Sequence, residues 1–168
     1  HWNLRGEYMN EVSMDYSSIV FDAKPDAVPY NYRISYKVAQ LCLIMRLCGW
    51  GDVCSLVKLH MISFALISHD NMKKLIDYTD ESDSVPVVRF DPAVNRALTF
   101  AIGYGLIKRQ QNSKFKLTDR GRLLAEQIKA DGNLMVVEIN DLCLLSKSLT
   151  ENKVDEMIGK WGTTYADD

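Results

Sequence analysis

From residue 34 onward the apolar positions fall into a helical rhythm that a few turn signals interrupt. Ile34, Val38, Leu41, Met45 and Cys48 recur every three or four positions, which puts them on one face of a helix over 34–47. Gly49-Trp50-Gly51-Asp52 stops that helix, and Asp52 is the expected cap of a second one running from Val53 to about Ser68. This second segment is apolar nearly all round, so it belongs at the centre of a core or between its domain and a partner. Asp70 is expected to cap a short third helix over 71–78, with Met72, Leu75 and Ile76 facing inward. Thr79 to Ser84, carrying Asp80, Glu81 and Asp83, reads as an acidic surface loop, and Pro86 to Phe90 as a short extended piece.

The next stretch is the most informative. Asp91 followed by Pro92 is a strong start signal, because the carboxylate caps the helix and proline suits its first position. Val94, Leu98, Ala101 and Ile102 then form a helical stripe ending near Gly103-Tyr104-Gly105. Leu106 to Gln110 and Lys114 to Leu117 flank the polar turn Gln111-Asn112-Ser113 and read as a hairpin. Thr118-Asp119 opens another helix through Leu123, Leu124 and Ile128. Helix, glycine, basic hairpin and helix are the usual ending of a winged helix. The expected fold is therefore mainly α (α+β): a winged helix-turn-helix core with an N-terminal arm and extra C-terminal helices. The expected divisions are an arm over 1–31, a winged-helix domain over 32–131 and a helical extension over 132–168. In that extension Ser148-Leu149-Thr150-Glu151 resembles a capping box. Its helical hairpin either offers a surface to a partner or packs on the domain. Pro25 and Pro29 argue against helix in the arm, whose Tyr8, Tyr16 and Phe21 suit a docking segment or a wrap around the same domain.

A chain of 168 residues needs neither metal nor disulfide to hold one core. Of Cys42, Cys48, Cys54 and Cys143 the first three lie at intervals of six in or beside apolar helical sequence; the set lacks the close pairing of a zinc site and reads as buried thiols. Disulfides are possible in principle, but large helices and no secretory leader lead to the expectation of a reducing cytoplasm. The net charge of −2 gives no global attraction to nucleic acid. The charge is unevenly spread, however: between Arg89 and Lys129 nine basic side chains stand against three acidic ones.

No phosphate-binding glycine loop with Lys-Ser/Thr is present. His60 sits in the apolar second segment with no carboxylate or cysteine pattern near it, so it reads as a core or interface histidine rather than a catalytic base. Nothing indicates an enzyme, a metal or a cofactor. In a winged helix the segment from Pro92 to Ile102 takes the recognition position, where Asn95 and Arg96 are able to reach base edges. Lys108, Arg109, Lys114 and Lys116 would neutralise phosphates from the hairpin. The same basic face would equally suit an acidic protein partner.

Several segments together resemble a known family: Tyr32-Arg33-Ile34-Ser35-Tyr36-Lys37, Lys58-Leu59-His60-Met61, Arg89-Phe90-Asp91-Pro92-Ala93-Val94-Asn95-Arg96-Ala97 and Leu117-Thr118-Asp119-Arg120-Gly121. They look like the small middle components of bacterial ABC-three-component systems, the group containing the Lamassu anti-phage complexes. The resemblance spans about residues 30 to 160. It implies a non-catalytic adaptor or regulatory subunit joining an SMC-like ABC ATPase to a nuclease or other effector in antiviral or anti-plasmid defence. It carries over no individual functional residue. The alternative is a winged-helix transcriptional regulator that binds DNA.

Overall fold

The computed structural model describes residues 30–81 and 84–166. The arm expected over 1–31 lies outside them apart from its last two residues, as do Ser82 and Asp83 of the acidic loop. Helix α1 (Tyr30–Cys48) is the centre of the core, and four later helices pack against it. The expected stripe of Ile34, Val38, Leu41, Met45 and Cys48 is buried, but so are Ala39, Cys42, Leu43 and Ile44. A helix covered on several sides needs apolar residues beyond one stripe.

The chain after α1 departs from the expected continuous second helix. Gly51 and Asp52 both take positive φ, 62° and 60°, and turn the backbone sharply. Val53–Cys54 then forms strand β1 instead of the first turn of a helix. Helix α2 (Leu56–Ala65) starts only after Ser55, whose hydroxyl accepts from the Lys58 amide. Ser55 is the cap; Asp52 is drawn elsewhere by two arginines. A similar shift occurs at α3 (His69–Thr79), where Ser68 caps and Asp70 sits in the first turn. Both hydroxyls satisfy amides that a helix start leaves open, each contributing about 1 kcal/mol.

Lys58 is 1 % exposed within α2, and its ammonium donates to the Cys48 carbonyl at 2.8 Å. A cation at the carboxyl end of α1 satisfies an orphan carbonyl and the negative end of the helix dipole. That pairing makes a buried lysine tolerable in an otherwise apolar helix.

Segment 84–91 is irregular and leads into α4 (Pro92–Gly103), capped by Asp91 through the Ala93 amide with Pro92 at its start. Strands β2 (Ile107–Arg109) and β3 (Phe115–Leu117) form the expected hairpin. With β1 they make an open, antiparallel three-stranded sheet in the order β1-β3-β2. Helix α5 (Asp119–Asp131) is capped by Thr118 and closed by Gly132 at φ 77°. Its third residue, Gly121, is pressed so tightly on the Leu106 carbonyl that any Cβ would collide with it.

Helices α6 (Val136–Leu145) and α7 (Glu151–Ala166) complete the chain. Leu142, Leu145, Leu149, Val154 and Met157 join the same apolar cluster as α1. Thr150, not Ser148, caps α7 by accepting from Lys153, while the Glu151 carboxylate accepts from the Ser55 amide. The architecture is thus a mixed α and β fold, with several helices around one small antiparallel sheet.

Candidate nucleic-acid interface

The hairpin places its four basic residues by simple strand alternation. Ile107 pairs with Leu117, and both are buried against the core. Successive side chains on a strand alternate faces, so Lys108 and Lys116 occupy the opposite side. The two lysines are direct antiparallel partners. On the far side of Lys116, β1 contributes Val53, which is neutral. No ion pair to either lysine exists among the described residues. Like charges facing each other across strands cost stability, and an anion would relieve that cost.

Arg109 goes to the other face, opposite Phe115, with its guanidinium 6.0 Å from the ring centroid. Lys114 sits at the turn. There the Gln110 amide donates to the Lys114 carbonyl at 2.8 Å, and the Lys114 amide donates to Asn112 Oδ1 at 3.0 Å. The four predicted hairpin cations therefore form one face-to-face pair, one turn residue and one residue turned away.

Asn95 and Arg96 are exposed on the first half of α4. Asn95 is partly engaged: its Oδ1 lies 3.1 Å from His60 Nε2. His60 is 3 % exposed and packs on Phe90 with the rings tilted by 35° and their centroids 4.7 Å apart. The histidine therefore reaches from the core to a residue of the exposed helix, a link that sequence spacing does not reveal. Thr99 closes onto its own helix by donating to the Asn95 carbonyl at 3.0 Å.

The basic excess over 89–129 is smaller in space than in sequence. Arg122 binds Asp52 at 3.0 Å and Lys129 approaches Glu126 at 3.5 Å. Arg46 joins the same network, reaching Asp52 at 3.1 Å and Glu126 at 2.7 Å. Hydrogen bonding to Arg46 holds the Glu126 carboxyl below the usual carboxylate range. The same bond, with the one to Asp52, holds the Arg46 guanidinium further above its own. This network ties α1, the turn before β1 and α5 together, and neither Lys108 nor Lys116 takes part in it. In the sequence Asp52 is legible only as a cap, because its partner Arg122 lies 70 residues on.

No family model matches the chain, and no curated protein or solved structure does either.

Among the described residues no group of three or more His, Cys, Asp or Glu side chains is placed to hold a metal. Burial pushes the thiols of Cys42, Cys48 and Cys54 up to about 12, while Cys143 is exposed, against the expectation of four buried thiols. His69, at the start of α3, faces the buried Asp141 at 3.5 Å. No helix among the described residues is long and apolar enough to cross a membrane.

Proposed function

We propose that this chain is a non-catalytic winged-helix adaptor that lays its basic wing on the phosphates of double-stranded DNA and joins other subunits through its C-terminal helices. The element order supports a winged helix: a helix, β1, further helices, then α4 and the hairpin, with β3 in the middle of the sheet. In that reading α4 is the recognition helix, residues 107–117 are the wing, and α3 is an insertion between the second helix and the recognition helix. The observation that carries the DNA contact is the facing pair Lys108 and Lys116, neither of which makes an ion pair among the described residues. Phosphate contacts of this kind position a protein on a duplex without reading sequence.

The protein-binding half of the proposal draws on α6. Val137 and Leu144 are 72 % and 64 % exposed there, and Trp50 is 64 % exposed beside Lys147. Large apolar side chains on an outer helix face suit a partner subunit. The likeness of the sequence to small ABC-three-component subunits supplies the class of partner: an SMC-like ABC ATPase and a nuclease or other effector, working in defence against foreign DNA inside the cytoplasm.

Binding of the full chain to a duplex of random sequence, followed by anisotropy over a range of salt, tests the DNA contact. Replacing both Lys108 and Lys116 by Gln should flatten the dependence of log affinity on log salt by about 2 units. An unchanged slope would remove the wing from the interface. Co-purification from the native host with an ATPase and an effector tests the adaptor role, and a chain that purifies alone would count against it.

A second reading, a winged-helix transcriptional regulator, is favoured by one observation: Asn95 and Arg96 lie side by side and exposed on α4. It requires tight binding of the isolated chain to one operator, with Arg96→Ala relaxing the preference at one base pair.

A further inference from the structure

Beside α4 lies a cleft of about 440 Å³ that the DNA contact does not use. Phe64 of α2, Phe90 of the 84–91 segment, and Val94 form its apolar walls, while Lys37 of α1 and Arg89 bring two positive charges to it against the one carboxylate of Asp91. Its size falls in the range of small-molecule sites, and it is a half-open cleft lined by apolar side chains with a few charged groups.

Three features specify what would fit. Phe90 is 56 % exposed although its ring is already fixed by His60 on one side and by Trp161 at 6.4 Å, so it offers an open, rigid aromatic surface. Lys37 is half-buried, and the loss of water around its ammonium pulls its pKa below the ordinary lysine value, with Asp91 pulling the other way. An added anion would compensate the ammonium more fully, since Asp91 already spends one oxygen on capping α4. Finally, His60 lines the cleft with its Nδ1 buried and without a hydrogen-bond partner among the described residues. That atom is out of a ligand's reach; what His60 supplies to the cleft is its ring, packed on Phe90 and tied through Nε2 to Asn95.

We propose that this cleft binds a small aromatic carboxylate, its ring against Phe64 and Phe90 and its carboxylate toward Lys37 and Arg89. His60 forms the floor between that ligand and Asn95, so occupancy is felt at the exposed face of α4. The ligand site stands independently of the wing lysines and of any DNA contact.

Benzoate is the probe and benzamide, its neutral isostere, the control. Titration of the full chain, followed by amide chemical shifts, should show saturable benzoate binding with the largest shifts at His60, Phe90 and Asn95. Benzamide should bind about tenfold more weakly, as should benzoate to Lys37→Met or Arg89→Gln, a loss equivalent to one charge-assisted contact. The double replacement of Lys108 and Lys116 by Gln should leave benzoate affinity unchanged, which separates this site from the wing. No saturation up to about 10 mM, a weak but specific affinity, would overturn the proposal. So would equal binding of benzoate and benzamide, or shifts confined to the wing.

Discussion

Asp52 and Arg122, 70 residues apart in sequence, meet at 3.0 Å between Asp52 Oδ2 and Arg122 Nε. Asp52 is 4 % exposed and also takes the Arg46 guanidinium, so one buried carboxylate joins α1 to α5 through the turn that precedes β1. Asp52→Asn keeps a residue that tolerates positive φ, removes the charge and turns one of the two accepting oxygens into an NH2 donor. Because both arginines are partly exposed, solvent screens the pairs and the expected loss is about 1–2 kcal/mol. Urea unfolding measures it. Lys108→Gln, which relieves a like-charge pair, should leave stability unchanged or slightly raise it.

The acid side of the same network predicts a pH dependence. The folded Glu126 pKa is depressed by hydrogen bonding to Arg46, so the unfolded chain binds more protons than the native one in the acid range. Its contribution is complete above the ordinary glutamate pKa and is lost as pH falls through the lower, folded value. Glu126→Gln should therefore shrink the gap in stability between neutral and acid pH. Thermal melting of both proteins across that interval checks this; identical pH profiles would contradict it.

Gly121 is required by contact rather than by backbone conformation. A methyl group there would run into the Leu106 carbonyl oxygen and the Leu117 side chain. Gly121→Ala should destabilise by about 1–3 kcal/mol through forced separation of α5 from the hairpin. Gly159→Ala in α7, where nothing lies within 4 Å of the added Cβ, is the matched control and should be neutral or stabilising.

The thiols should divide sharply. Cys143 is exposed, while burial holds Cys42, Cys48 and Cys54 at about 12. Near pH 8 a thiol reagent should modify Cys143 alone in the native protein, and all four in denaturant. Since an unfolded thiol ionises at lower pH than these three, stability should also fall as pH rises above about 8.5. Mass spectrometry of the modified protein and alkaline unfolding curves test the two statements.

The helices from α4 to α7 and the hairpin are legible in the sequence because their signals are local. Asp91-Pro92, Thr118 and the alternation of Ile107, Phe115 and Leu117 act within a few residues of themselves. The start of α2 is not legible, for the same reason. Val53 and Cys54 look helical by spacing, but they find Lys116 and Phe115, more than sixty residues on, and become a strand. The hairpin lysines stand out as a basic group, yet only the register shows that Lys108 and Lys116 share a face while Arg109 turns away. The link from His60 to Asn95 and the cleft beside it have no local signal at all.

By itself, the sequence determined where this chain turns, which stripes it buries and that its basic residues concentrate after residue 89. These follow from side-chain periodicity and capping, which are short-range effects. Only the tertiary structure decided which cations are consumed by Asp52 and Glu126 and which are not. Ion pairing depends on distances between residues that folding brings together, and no spacing along the chain encodes those distances.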